Sequence, residues 1–169
     1  VPAVTKRGGM VNKFTGDGML AVFGVPLEQD SQAEAQAAIE AAIEIKAGLE
    51  QLNKELLRDN EPEMRIRMGI HSGEALVGSM GSTERIEYAV IGDSVNCASR
   101  LESLDKQRHE GLLRVLISST TLDLLAEDFR SGLGLEFWGP VKVKGREQPL
   151  SVSELRMDNA QGAAEATQP

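Results

Sequence analysis

An α/β domain is predicted by three features of the sequence: short apolar runs that alternate with helical periods, a strong hairpin signal near the start, and no internal repeat or linker. The length of 169 residues is that of about one domain, and 41% hydrophobic residues suffice for one packed core.

Met10 to Phe14 and Met19 to Phe23 are apolar runs separated by Thr15-Gly16-Asp17-Gly18. An Asp-Gly pair so placed predicts a β-hairpin with Asp17 in its turn. Ser31 followed by Glu34 fits a capping box, and apolar residues then recur at Ala35, Ala38, Ile39, Ala42, Ile45, Leu49, Leu52 and Leu56. That period predicts one long amphipathic helix, packed as an outer layer on the sheet with its charges toward solvent. It should end near Asp59-Asn60, because Pro62 disfavours helix just before itself. Arg65 to Ile70 alternates as a strand does and is ended by Gly73. Glu74 to Met80 and Glu87 to Ile91 read as two further strands joined through Gly81 and Ser82, after which Gly92-Asp93-Ser94 opens a short helix, Val95 to Leu104. Arg114 to Ser118 is a strand, Thr120 to Ala126 a short helix, Glu136 to Val143 a strand broken at Gly139-Pro140, and Ser151 to Leu155 the last strand. From Met157 the chain has no apolar period. The domain is therefore expected over residues 1–156, with 157–169 a flexible tail.

Eighteen Lys plus Arg against 26 Asp plus Glu give a net charge of −8. That balance argues against general binding of nucleic acid or of an anionic membrane. The single cysteine, Cys97, excludes an intrachain disulfide framework and a Cys-cluster zinc site, and fits a reducing compartment. No apolar run approaches the ~20 residues of a membrane span, and the opening VPAVTKRGG is too short an apolar stretch for a secretory signal. The expected location is cytoplasmic, without membrane insertion by this domain.

Several side chains carry possible chemistry. Asp17, between two glycines at a hairpin tip, suits a hard cation such as magnesium, or is there only because aspartate favours turns. Lys13, on the strand face opposite Asn12 and Phe14 by the period-two pleat, is either edge protection or a ligand donor. Asn96 and Arg100 are four apart on one helix face, while Val95, Ala98 and Leu101 can pack on another. An amide and a guanidinium projecting together suit a sugar and a phosphate, or form an ordinary solvated face. Lys142 and Lys144 share one face of a strand that enters a turn at Gly145, and by themselves read as a solvated edge. The glycines form neither a Walker loop nor a G-x-G-x-x-G turn, His71 and His109 lack metal-ligand spacing, and Cys97 reads as a small packing residue.

Four segments, VNKFTGDGMLAVFG, RMGIHSGEALVGSMG, EYAVIGDSVNCASRLE and VKVKG, follow one another between about Gly9 and Leu155. Together they resemble the core of the class III adenylyl and guanylyl cyclases, above all the bacterial and cyanobacterial homodimeric members. The resemblance implies an α+β, ferredoxin-like catalytic domain with a mixed or antiparallel sheet and flanking helices. It implies head-to-tail pairing of two copies, with ATP or GTP and two divalent cations, Mg²⁺ or Mn²⁺, bound between them. In that pattern Asp17 matches the second metal-binding aspartate and Lys13 the lysine that reads adenine. Asn96 matches the residue that orients the ribose, Arg100 the arginine on the reacting phosphate, and Lys144 the lysine on the triphosphate. The aspartate comes from one subunit and the other four residues from its partner. Members of the family are also fused to, or controlled by, many kinds of sensory domain.

Two departures bear on function. The family's first metal aspartate lies on an opening strand, in an F-x-D-[IL]-x-x-F context followed by two helices, and no such segment precedes Val1. These residues are therefore expected to begin inside the domain and to hold one of the two metal carboxylates, with turnover belonging to the intact domain. The second base-reading position falls on Ala89, where adenylyl cyclases show Asp or Thr. A methyl group accepts no hydrogen bond from the adenine amine, yet Lys13 is a donor and suits adenine N1. The expected activity is conversion of ATP to cyclic AMP and pyrophosphate. The alternatives are a guanylyl or dual-specificity cyclase and a catalytically inactive regulatory domain of cyclase type.

Overall fold

A computed structural model of the protein describes residues 1–26, 30–82, 85–109, 111–142 and 148–157. Its elements run α1 (Pro2–Thr5), β1 (Met10–Thr15), β2 (Gly18–Val22), α2 (Ser31–Arg58), β3 (Ile66–Ile70), β4 (Leu76–Ser82), β5 (Arg85–Ile91), α3 (Asp93–Ser103), β6 (Leu113–Ser118), α4 (Ser119–Leu122), α5 (Glu127–Ser131), β7 (Leu135–Val141) and β8 (Leu150–Leu155). One four-stranded sheet has the order β3-β6-β8-β7, and two antiparallel ribbons, β1-β2 and β4-β5, stand beside it. β3 and β6 run parallel, while β6-β8 and β8-β7 are antiparallel. The expected α+β architecture with mixed and antiparallel pairing is observed.

The alternation of side chains along β6 decides which helix covers which face. Val115 and Ile117 join Ala35, Ile39 and Ala42 of α2 in one buried cluster, completed by Leu122, Leu125, Leu133 and Leu155. Leu116, pointing the other way, joins Cys97 and Leu101 of α3 with Leu150 and Val152 of β8. The sheet is thus sandwiched between the long helix and α3. Full burial of a residue such as Ile39, Ile117 or Leu116 contributes ~1.5–3 kcal/mol each. Polar clamps close the corners of this sandwich: buried Asn53 near the end of α2 donates to the Met64 carbonyl at 2.9 Å and accepts from the Met64 amide at 2.7 Å.

Several expectations are corrected. The N-cap of α2 is Asp30, whose carboxylate accepts from the Gln32 amide at 3.1 Å, so Ser31 is the first helical residue and not the cap. Asp30 wins because a carboxylate at the cap position meets an orphan amide directly. The hairpin does form with Asp17 in its turn, as expected: Thr15 pairs with Gly18, and Gly16 takes φ +64 at the first central position, as in a type II′ turn. Strict alternation fails on β1, where Asn12 is an extra residue between the Val11/Ala21 and Lys13/Leu20 pairs. This β-bulge leaves Lys13 and Phe14 on opposite faces and takes Asn12 out of the pairing. The break expected at Gly139-Pro140 is also a bulge, at Trp138, and β7 runs on to Val141. Gly81 and Ser82 belong to β4, the helix expected over 120–126 ends at Leu122, and the short helices α1 and α5 had no periodic signal. Met157 packs into the α2-side core, one residue beyond the expected domain edge. The tail 158–169 and Lys144 lie outside the described residues.

Candidate active site

The β1-β2 hairpin places Asp17 at its exposed tip, and among the described residues no hydrogen bond or ion pair engages that carboxylate. Its strand partner to β5 is the bulged residue: Asn12 Nδ2 donates to the Tyr88 carbonyl at 2.8 Å. The bulge frees Asn12 from the ladder, and this one bond ties the hairpin to the second ribbon. It brings the neighbouring positions, exposed Lys13 and half-buried Ala89, onto adjacent strands of the same copy. Ala89 faces Gly78 across β4-β5, and the alternate pair Leu76/Ile91 shares its face with Met80. That row is apolar and open: Leu76 is 80% exposed and Met80 54%.

β5 passes through Gly92 directly into α3, so the base-side position and the helix with Asn96 and Arg100 form one continuous segment. α3 lies very close to the sheet because its neighbour on β3 is glycine: a Cβ on Gly69 would stand 2.1 Å from the Ala98 carbonyl oxygen. Buried Cys97 and Leu101 fill the inner face as packing residues, which leaves Asn96 exposed. Arg100 is half-buried, and its Nη1 is fully buried with no hydrogen-bond partner among the described residues. An unsatisfied buried donor of this kind costs ~1–3 kcal/mol. Beside it opens a cleft of about 360 Å³, lined by Arg100, Ser103, Leu104 and Asp105 at the end of α3 and by Val141 and Lys142 at the end of β7. An orphan guanidinium N–H and a lysine at one cleft suit an anion with several oxygens.

Beneath this wall lies Arg114, a fully buried arginine of β6. It shares the α3-side face with Leu116, and its parallel partner on β3 is Arg67. Burial pushes its guanidinium below the usual arginine range, as does Arg67, while Glu154, Asp105 and Glu102 oppose the shift. Trp138 lies against it at 5.5 Å and takes the guanidinium of Arg108 at 4.1 Å. The Trp138 indole N–H donates to buried Glu154 at 3.0 Å.

The structure thus joins the chain neighbours of Lys13 and Ala89, Asn12 and Tyr88, and sets Arg100 in one cleft with Lys142, two residues before Lys144 in the chain. Among the described residues no three His, Cys, Asp or Glu side chains gather as a metal cluster, and Asp17 stands apart. Asn12, Gly69 and Arg114 are the contributors that the sequence reading passed over. The signal for Arg114 was a charge opening an otherwise apolar strand; Asn12 and Gly69 had no local signal, since each acts through a partner distant in the chain.

The sequence matches the family model described as the adenylate and guanylate cyclase catalytic domain over residues 5–153. The chain belongs to this family. Adenylate cyclase 1 of Rhizobium meliloti is 34% identical over 152 residues, covering 90% of the chain and 22% of that protein. The adenylate cyclase of Anabaena cylindrica is 32% identical over 158 residues, covering 91% and 29% respectively. The cyclase domain thus spans about a quarter of the length of these curated relatives. Among solved structures, the adenylyl cyclase CyaB from P. aeruginosa superposes with a TM-score of 0.78 at 31% identity, covering 91% of this chain and 74% of that one. The guanylyl cyclase Cya2 superposes with a TM-score of 0.72 at 30% identity, covering 90% and 72%. Among the described residues of the cyclase domain no helix is long and apolar enough to cross a membrane.

Proposed function

We propose that this cyclase domain converts ATP to 3′,5′-cyclic AMP and pyrophosphate at an interface between two copies of the chain arranged head to tail. The ribose 3′-oxygen attacks the α-phosphorus in line; the bond from that phosphorus to the pyrophosphate oxygen breaks, and the hydroxyl proton is lost. No covalent enzyme intermediate is needed. The observation that carries the assignment is the Arg100 guanidinium, which lines a cleft of about 360 Å³ and whose buried Nη1 has no partner among the described residues, because charge develops on the phosphate oxygens as the bond order changes. Asn96, one turn earlier on α3, orients the ribose, and Lys144 meets the triphosphate. Lys13 donates to adenine N1 from the adjacent ribbon.

Asp17 fits a divalent cation as one hard oxygen donor. One carboxylate satisfies a fraction of the about six positions magnesium needs, so phosphate, water and a further carboxylate must complete the site. Magnesium or manganese there would supply charge neutralisation for the phosphates. Pairing of two copies is supported by the open apolar row on the Ala89 face and by the exposed cross-strand pair Phe14/Met19 on the hairpin. A two-stranded ribbon with such a face is marginal alone and gains from being covered. The coverage of about a quarter of the curated relatives supports reading the domain as the output of a longer protein carrying a sensory domain.

Ala89 favours a second reading, production of cyclic GMP, because its methyl group cannot accept from the adenine amine. Equimolar ATP and GTP offered to the full-length protein with excess Mn²⁺, followed by chromatographic separation of products, distinguish the two. Predominant cyclic AMP is expected, with a loss of ~10²–10³-fold on Arg100→Ala. Undiminished turnover in Arg100→Ala would refute the site; predominant cyclic GMP would transfer the assignment to the guanylyl reading.

A further inference from the structure

We infer that Arg114 is a positioning residue for Arg100: it holds the exit of α3, and with it the wall of the cleft, in the geometry the reacting phosphate requires. The inference rests on the reading that Arg100 meets that phosphate.

Four main-chain carbonyls converge on the Arg114 guanidinium. Nη1 donates to the carbonyls of Asp105 at 2.6 Å and Arg108 at 2.8 Å, and Nη2 to those of Leu104 at 2.6 Å and Glu102 at 3.0 Å. These are charge-assisted bonds in a dry setting, stronger than neutral ones. The four acceptors lie on the end of α3 and the turn that follows. A helix end leaves its last carbonyls without partners, and here α3 leaves abruptly, with Leu104 already extended at ψ 130 and Asp105 at φ +36. No glycine relieves the turn at Asp105. The guanidinium replaces the usual glycine cap by gathering the carbonyls from below.

The same residues form the cleft. Leu104 and Asp105 line it together with Arg100, and Leu104 is one helical turn from Arg100. Arg114 itself points from the sheet on the α3 side, fully buried, and lines no part of the cleft. It therefore lies behind the cleft wall and acts through the backbone of Leu104 and Asp105 that it holds. Arg108 reinforces the arrangement by lying over Trp138 and pairing with Glu136 at 2.8 Å, which fixes the turn to β7, the cleft's other wall. Lysine at position 114 would offer a point charge and three N–H donors in place of the planar fork, so it would hold only part of the set.

The test is a double-mutant cycle in the full-length protein with saturating Mn²⁺, at a temperature where circular dichroism shows every variant folded. Arg114→Gln is expected to lower kcat ~10–100-fold, the scale of a displacement near 1 Å, while the KM for ATP changes less than about 3-fold. Arg114→Lys should recover part of the loss. In an Arg100→Lys background, Arg114→Gln should add less than about 2-fold, since the two residues act as one unit. A multiplicative loss in that background overturns the inference, as does an unchanged kcat with only a lowered unfolding midpoint. Loss of fold in Arg114→Lys as well as Arg114→Gln also overturns it, because the role would then belong to the fold. If Arg100→Lys alone turns over as the parent does, the underlying site reading fails, and the inference with it.

Discussion

Replacement of Gly69 by alanine tests the seating of α3 with one methyl group. A Cβ there would lie 2.1 Å from the Ala98 carbonyl oxygen, 2.6 Å from the Glu102 amide nitrogen and 2.8 Å from Leu101 Cβ. Two of these are backbone atoms of α3, which no rotamer change can move. Ordinary contact begins near 3.4 Å, so the helix must retreat by about 1.3 Å from the 2.1 Å contact, or the strand must bend. Overpacking of this kind costs ~1–3 kcal/mol. The same retreat carries Asn96 and Arg100 with it, and a misplacement of about 1 Å lowers rate ~10²-fold.

Gly48→Ala is the matched control. Gly48 is exposed in the middle of α2, and a Cβ there meets nothing within 4 Å. Alanine should stabilise that helix by ~0.5–1 kcal/mol and leave turnover unchanged. Urea unfolding gives the two stabilities, and initial rates of cyclic nucleotide formation in the full-length protein give the two activities. A Gly69→Ala variant with the parent's unfolding midpoint and rate would refute the close approach of α3 to β3.

Removing the amide of Asn12 should separate the hairpin from β5: Asn12→Ala loses one hydrogen bond, ~0.5–1.5 kcal/mol, and should raise the KM for ATP several-fold with kcat little changed, whereas equal KM values would show that the tie to Tyr88 does not set the base pocket. His109 gives a pH dependence. Burial, then the guanidiniums of Arg114, Arg67 and Arg65, hold its imidazole below the ordinary value of 6.5. Above that pH the residue is neutral in both states; below it the unfolded chain binds the proton first, so stability is lost as pH falls from about 6.5 toward the depressed folded value. Urea midpoints at pH 7.5 and 5.5 should differ less in His109→Gln than in the parent, and an identical difference would refute the assignment.

The elements that the sequence made legible are those whose signal is local. The hairpin announces itself through glycines on both sides of Asp17, and α2 through a long apolar period that meets the Ile39 cluster as expected. The placement of Asn96 and Arg100 on one face of α3 followed from their spacing alone. Features set by distant partners were not legible. Gly69 is unremarkable until α3 is laid across it, and the Asn12 bulge has meaning only beside the Tyr88 carbonyl. Arg114 is in sequence only the first residue of a strand; in the fold β6 is a central strand flanked by β3 and β8, and the side chain is buried under the helix exit. Capping failed for a simpler reason: Ser31 and Asp30 are both good caps, and the choice between neighbours depends on where the chain turns into the helix.

The cyclase domain carries its candidate groups on two parts, the β1-β2 hairpin and the β5-α3 segment, and among the described residues the Asn12 side chain links them. The hairpin carrying Lys13 and Asp17 is fastened to β5 at Tyr88, and β5 continues through Gly92 into α3, which is pinned from the sheet side by Gly69 and Arg114. Asp17 lies at the exposed hairpin tip, whereas Arg100 lines a cleft at the far end of α3. Under the proposed head-to-tail pairing, these half-sites are completed by a second copy, and a two-fold interface repeats each contact so that two sites form together. The apolar row of Leu76, Met80 and Ile91 then has a physical reason to lie on the face of Ala89: covering it brings the second copy to the base-reading edge. Association and substrate selection would draw on the same ribbon, so a change in how two copies meet alters the pocket without touching Arg100. Under that pairing, a change in the angle between copies would alter turnover without any change in the residues of either half-site.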